Sequence, residues 1–154
     1  MIIRQAKPIK TDCDLIFELS NDPMVRKASF NQEIIQYSEH CKWYENNLAN
    51  LNILFFLIFS DAKETEFIGQ IRFKRVSEHS PECTISLSIT EPFRGKHIAS
   101  KFLELGIKEL SKKWNLINTV VAEVKKENEP SNRLFSSYGS CLSSEANTYK
   151  LKIA

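Results

Sequence analysis

Arg94-Gly95-Lys96-His97-Ile98-Ala99 joins an alternating segment to an amphipathic one, and its residue types suit anion binding. The first amides of a helix lack intrahelical partners and lie at the positive end of its dipole, so a helix start attracts negative charge. Arg94 and Lys96 add two cations, and a phosphate-bearing ligand fits the junction. A basic turn with no ligand has the same composition, so the loop by itself leaves both readings open. A second run, Val124 to Phe135 followed by Gly139, places Asn128 where an extended segment gives way to a helix. Its side-chain amide can cap that helix or hydrogen-bond an extended ligand beside it. Glu82 shares strand parity with Ser86 and Ser88 and stands at the strand end.

The elements that must hold these groups follow from periodicity. Residues 84–89 alternate, with Ile85, Leu87 and Ile89 on one side and Thr84, Ser86 and Ser88 on the other, which predicts a strand. From Ile98 the spacing changes to three and four through Ala99, Phe102, Leu103, Gly106, Ile107, Leu110 and Trp114, one face of a helix. Upstream, Met1 to Ala6 reads as a strand. Thr11 with Asp12 and Asp14 starts a helix carrying Leu15, Ile16 and Leu19, and Asn21-Asp22-Pro23 ends it. A helix from about Ser38 to Leu48 precedes strands over Leu51–Ser60 and Glu66–Val76. Downstream, Ile117–Val124 is a β-branched strand, Pro130 opens a short helix that Gly139 closes, and Thr148–Ile153 is the last strand. The order β, α, α, β, β, β, α, β, α, β implies a central mixed sheet with helices on its faces.

The two motifs, in this order and on these elements, resemble those of the GNAT superfamily of acetyl-CoA-dependent N-acetyltransferases. The pyrophosphate loop of that family reads Gln/Arg-x-x-Gly-x-Gly/Ala between a strand and a helix; Arg94, Ile98 and Ala99 stand in register, with His97 at the inner glycine. There a side chain need not clash if the residue is already helical, but it narrows the approach to the pyrophosphate. Later comes Asn-x-x-Ser/Ala and an aromatic seven residues after the Asn, matched by Asn128, Ser131 and Phe135, then Gly-Phe, matched by Gly139 with Ser140 in place of Phe. The resemblance covers most of the chain. It implies an α/β fold with a mixed, mostly antiparallel sheet of six to seven strands, about four helices, and two strands splayed to admit the pantetheine arm. That arm would pair with backbone groups of Leu87, Ser88 and Ile89, and the pyrophosphate would meet residues 94–99, including Gly95 and Lys96.

The same resemblance implies direct attack of an amine on the acetyl-CoA thioester, with a base such as Glu82 taking the amine proton. Phe135 replaces the Tyr that protonates the departing thiolate in many relatives; Tyr138, three residues on, could substitute, as could water. Arg26 with Asn21-Asp22-Pro23, His40 with Trp43, and Arg72 within Gly69–Phe73 are similar to the branch that acetylates nucleotide-linked amino sugars, and would contact the acceptor. Two other readings are acetylation of a protein N-terminus and a CoA-binding module without turnover.

Bulk composition bounds these readings. The 154 residues are 42% hydrophobic and 26% charged with a formal net charge of +2, which suits one domain, 1–154, and implies neither a nucleic-acid footprint nor an acidic polycation-binding surface. Cys13, Cys41, Cys83 and Cys141 form no Cys-x-x-Cys pair, so no metal site is indicated and they read as reduced, mostly buried thiols of a cytosolic protein. The longest apolar run, Ile53–Phe59, is too short to span a bilayer, so no membrane partner is expected. A monomer or homodimer acting on a small-molecule amine is the expectation.

Overall fold

The computed structural model describes residues 1–143 and 145–153. Its strands are β1 (Ile2–Gln5), β2 (Ile53–Phe59), β3 (Phe67–Arg75), β4 (Glu82–Ile89), β5 (Thr119–Lys125), β6 (Gly139–Ser143) and β7 (Ala146–Lys152). The helices are α1 (Lys10–Ser20), α2 (Pro23–Ala28), α3 (Tyr37–Ala49), α4 (Ala99–Lys113) and α5 (Glu129–Ser136). All seven strands lie in one sheet, ordered β1-β2-β3-β4-β5-β7-β6. Every neighbouring pair is antiparallel except β4 and β5.

Two elements exceed the sequence reading. Asn21-Asp22-Pro23 ends α1, but it also starts α2: the Asp22 carboxylate accepts hydrogen bonds from the amides of Met24 at 2.9 Å and Val25 at 3.3 Å, with Pro23 in the first turn, where its missing N–H costs nothing. Gly139 opens a strand after the helix. A β-carbon there would lie 2.1 Å from the Lys150 carbonyl oxygen, so the close approach to β7 requires glycine. The start of α1 also differs from expectation, since Ile9 rather than Thr11 occupies the cap position.

Strand alternation divides the core in two. Leu54, Phe56 and Ile58 of β2 join Ile71, Phe73 and Val120 against Phe102, Leu103 and Leu110 of α4 and Phe135 of α5. Phe55, Leu57 and Phe59 face the other way, onto Cys13 and Ile16 of α1 and Tyr44 of α3. Burial on both faces explains why β2 is a continuous apolar run. Each fully buried large side chain contributes about 1.5–3 kcal/mol relative to exposure. On the second face α1 and α3 cover only β1 to β3, leaving Thr84, Ser86 and Ser88 of β4 and Val121, Glu123 and Lys125 of β5 outside that cluster.

Asp12, 1% exposed, ties β1 to α1. It receives both terminal nitrogens of Arg4, at 2.7 and 2.8 Å, and the Lys7 amide at 2.9 Å. Asp12→Ala removes a buried fork and leaves Arg4 with Glu64 and the Gln5 carbonyl, so we predict a loss of about 3 kcal/mol, measured by urea unfolding. A loss below ~1 kcal/mol would contradict this account of the β1–α1 join.

Candidate active site

Because β4 and β5 run parallel, their carboxyl ends emerge at the same end of the sheet, and each leads into a helix. The strands do not stay together. Their register covers only Glu82–Thr119, Cys83–Val120 and Thr84–Val121. Beyond it, β4 follows β3 as far as Ile89 opposite Gly69, and β5 follows β7 as far as Lys125 opposite Ala146. A wedge opens between them. The amide of Thr90 donates to the Ile68 carbonyl at 2.8 Å, which sets the alternation of β4: even-numbered residues direct their backbone groups to β3, odd-numbered ones into the wedge. The Leu87 backbone and the Ile89 amide therefore face the wedge, the Ile89 carbonyl being taken by Arg94. Ser88 does not, since its backbone is directed at Gln70 across the β3 pair.

Arg94 closes the end of β4. Its Nε donates to the Ile89 carbonyl at 2.8 Å and one terminal nitrogen contacts the Asp22 carboxylate at 2.9 Å, so the side chain buttresses the wedge and has only its other terminal nitrogen free for an anion. Burial works against the Asp22 carboxylate, but Arg94 and the amides of Val25 and Met24 outweigh it and hold the carboxyl below its usual range. The loop then turns through two left-handed residues, Gly95 at φ 70° and His97 at φ 57°. The condition under which a side chain at His97 would cost nothing, a helical backbone, is not met: the position demands the conformation that glycine adopts freely. Histidine is among the side chains that tolerate it best, at a cost of order 1–2 kcal/mol. Ile98 caps α4 with no side-chain bond. No amide from Gly95 to Lys101 donates to a protein group among the described residues, so a row of donors surrounds the mouth of the wedge beside Lys96.

The other lip is the β5–α5 turn. Asn128 caps α5 by accepting from the Ser131 amide at 3.3 Å, and its Nδ2 has no partner among the described residues. Asn132, absent from the sequence reading, holds the turn: its Nδ2 donates to the carbonyls of Lys125 at 3.0 Å and Asn128 at 2.8 Å, and its Oδ1 accepts from Asn147 at 2.9 Å and Tyr149 at 2.6 Å. The available signal was its place one turn after a cap. Phe135 is buried against Tyr149, rings 6.1 Å apart, and carries no proton to give. The Tyr138 hydroxyl is 3.4 Å from Glu104 of α4, on the helical side of the opening.

On the opposite face, the expected acceptor residues divide. Arg72 spreads its guanidinium over Trp43 at 4.8 Å and Phe55 at 5.7 Å, with Ser86 opposite it on β4. His40 departs from its expected role: it is 2% exposed, stacks on Trp43, and its Nε2–H donates to the Cys13 carbonyl at 2.9 Å. Burial lowers its pKa, so the ring is a neutral internal tie between α1 and α3. Arg26 spends its nitrogens on the carbonyls of Ser20, Asn31 and Glu33 and on Ser29, organising the segment after α2. Glu82 stands at the closed end of the wedge, exposed, with Lys150 at 3.9 Å. That is five strand residues, roughly 17 Å, from Leu87. Glu123 went unnoticed in the sequence, although alternation of β5 places it on this face. Continuing the Thr84–Val121 register sets it across the wedge from Ser86, and it has no ion-pair partner among the described residues. Of the cysteines, Cys13 and Cys83 are buried, Cys41 partly so, and Cys141 is exposed, against the expectation of mostly buried thiols.

Residues 1–140 match the model of the acetyltransferase (GNAT) domain family, and the chain belongs to that family. It is an acetyl-CoA-dependent N-acetyltransferase of the GNAT type. No curated protein matches the sequence. Among solved structures, a domain from Methanocaldococcus jannaschii aligns at TM-score 0.80 and 20% identity over 99% of this chain and 97% of that one. Spermidine N-acetyltransferase from Vibrio cholerae, in complex with CoA and spermine, aligns at 0.79 and 15% over 99% and 94%. Ribosomal-protein-alanine N-acetyltransferase from Brucella melitensis aligns at 0.76 and 17% over 99% of both chains. At these identities the likeness is one of fold. No helix among the described residues is long and apolar enough to cross a membrane.

The left-handed loop yields a test. His97→Gly should leave CoA affinity within threefold or improve it, whereas His97→Val, β-branched at positive φ, should weaken it by about tenfold, or ~1.4 kcal/mol. Calorimetric titration with CoA decides; equal affinities for the two variants would show that loop conformation does not control the site.

Proposed function

We propose that the protein transfers the acetyl group of acetyl-CoA to the primary amine of a small acceptor by direct attack on the thioester. The carrying observation is the parting of β4 from β5 after three residue pairs, with the Leu87 backbone and the Ile89 amide open at the gap and the free amides of 95–101 at its mouth. An extended pantetheine arm added there uses main-chain bonds on β4, while the pyrophosphate takes the α4 start, beside Asn128 and Ser131 on the other lip.

The acceptor enters from the polar face. Lys125 of β5 donates to the Lys27 carbonyl at 2.9 Å and lies over Phe30 at 5.9 Å, so the end of α2 and the segment after it bridge to β5 on this face. Such a cover favours a small molecule over an extended peptide, and Trp43 with Arg72, the members of the amino-sugar-like set that remain on this face, suits a nucleotide-linked amino sugar. An amine with a pKa of ~10 must lose a proton before it attacks. Glu123, rather than Glu82, is placed to receive it, directly or through water along Ser86 and Ser88; water can return a proton to the thiolate in the absence of a hydroxyl at Phe135.

Purified protein should consume acetyl-CoA with at least one amino-sugar derivative in a panel that also contains N-terminal peptides and polyamines. Glu123→Gln should lower kcat by roughly 10²-fold, with a defect that shrinks as pH rises and more amine arrives neutral, and Glu82→Gln should change it less than about twofold. Tight CoA binding with no consumption against any amine would replace this reading by that of a CoA-binding module.

A further inference from the structure

One pair of side chains beside the wedge is left with unmet bonding capacity. Gln70 is 7% exposed; its Nε2 donates to Ser88 Oγ at 3.2 Å and Ser86 Oγ at 3.4 Å, while its Oε1, fully buried, meets no donor. Such an acceptor is costly to leave unpaired. Arg72 stands two residues on, on the same face of β3, roughly 7 Å along the strand. Arg4, Arg26, Arg75 and Arg94, likewise partly buried, each donate at least two hydrogen bonds within the protein. Arg72 alone among these partly buried arginines makes neither a hydrogen bond nor an ion pair within the described residues. The rings of Trp43 and Phe55 lie against its guanidinium carbon, at 4.8 and 5.7 Å, and leave its N–H groups as the bonding surface. Those groups match an oxyanion.

We infer that Arg72 and Gln70 form the acceptor subsite, and that the acceptor is a small primary amine bearing a carboxylate or phosphate, the oxyanion on the Arg72 N–H groups and an N–H on Gln70 Oε1. The inference rests on the acetyl-transfer reading and specifies its substrate class. A purely cationic polyamine is the wrong complement: it would bring positive charge to a guanidinium that no carboxylate neutralises, with Glu123 as the one acidic side chain facing the wedge from β5. The two hydroxyls of Ser86 and Ser88, already joined through Gln70, complete a polar floor beneath the amine.

The test uses matched pairs of acceptors: an α-amino acid and its amide, an amino sugar and its phosphate ester, with spermidine as the cationic comparison. We expect kcat/KM to favour one charged member over its neutral counterpart by about tenfold to a hundredfold, as for a charge-assisted contact; which pair responds tells carboxylate from phosphate. Arg72→Met should erase that preference while leaving the KM for acetyl-CoA within about twofold, and Arg72→Lys should retain part of it. Faster turnover of spermidine than of either charged acceptor, or an Arg72→Met defect equal for charged and neutral members, would overturn the inference and leave acetyl transfer standing. If no amine is acetylated, calorimetry on CoA-loaded protein decides: phosphate-ester binding that is tighter than that of the free amino sugar and lost in Arg72→Met supports the subsite, and equal binding refutes it.

Discussion

The structure depends on where one parallel ladder stops. Had β4 and β5 paired over their full length, the sheet would close and no edge would be offered to a ligand. Both strands are held apart by bonds to their outer neighbours. On the β4 side, Arg94 takes the Ile89 carbonyl, a group that would otherwise face β5, and ties it to Asp22 at the start of α2. On the β5 side, Asn132 fastens the end of the strand to Asn147 and Tyr149 of β7. An internal edge of this kind carries unmet backbone groups without the aggregation hazard of an outer one, because it lies between two sheets' worth of packed structure.

The wedge separates two chemical environments. The face under α4 and α5 is apolar, built from Phe102, Leu103, Val120 and Phe135, and its helix start offers amides to a polyanion. The other carries Gln70, Arg72, Ser86, Ser88 and Glu123 beside a helical cover rich in aromatic rings. A thioester lodged between Leu87 and Ile89 would be presented from one environment to an amine arriving in the other. On the proposed reading, main-chain recognition falls on the cofactor side and side-chain recognition on the acceptor side, so acceptor choice can vary without disturbing the cofactor.

Much of this was legible in the sequence where local pattern and tertiary role coincide. Alternation in β4, the three-four spacing of α4 and the cap at Asn128 each report a one-dimensional regularity that the fold preserves. Residues whose role depends on distant partners were not legible. His40 and Trp43 share a helix and looked equivalent, yet α1 encloses the first and Arg72 lies against the second. Glu82 has the parity of the cleft residues but sits at the closed end, and parity carries no information about where a parallel partner diverges. Asp22 read as a helix stop because its use as a cap for the next helix, and as the partner of Arg94, 72 residues away, is set by tertiary structure. His97 stands where the motif has glycine, and its left-handed backbone is set by the turn before α4.

The central claim is that acetyl-CoA adds to β4 as a strand in the wedge. Amide hydrogen exchange with and without acetyl-CoA tests it residue by residue. The account predicts that the Leu87 and Ile89 amides exchange rapidly in the free protein and become protected on binding, while the Ser88 amide, directed at β3, is slow in both states. Unchanged exchange at Leu87 and Ile89 in protein saturated with acetyl-CoA would contradict it.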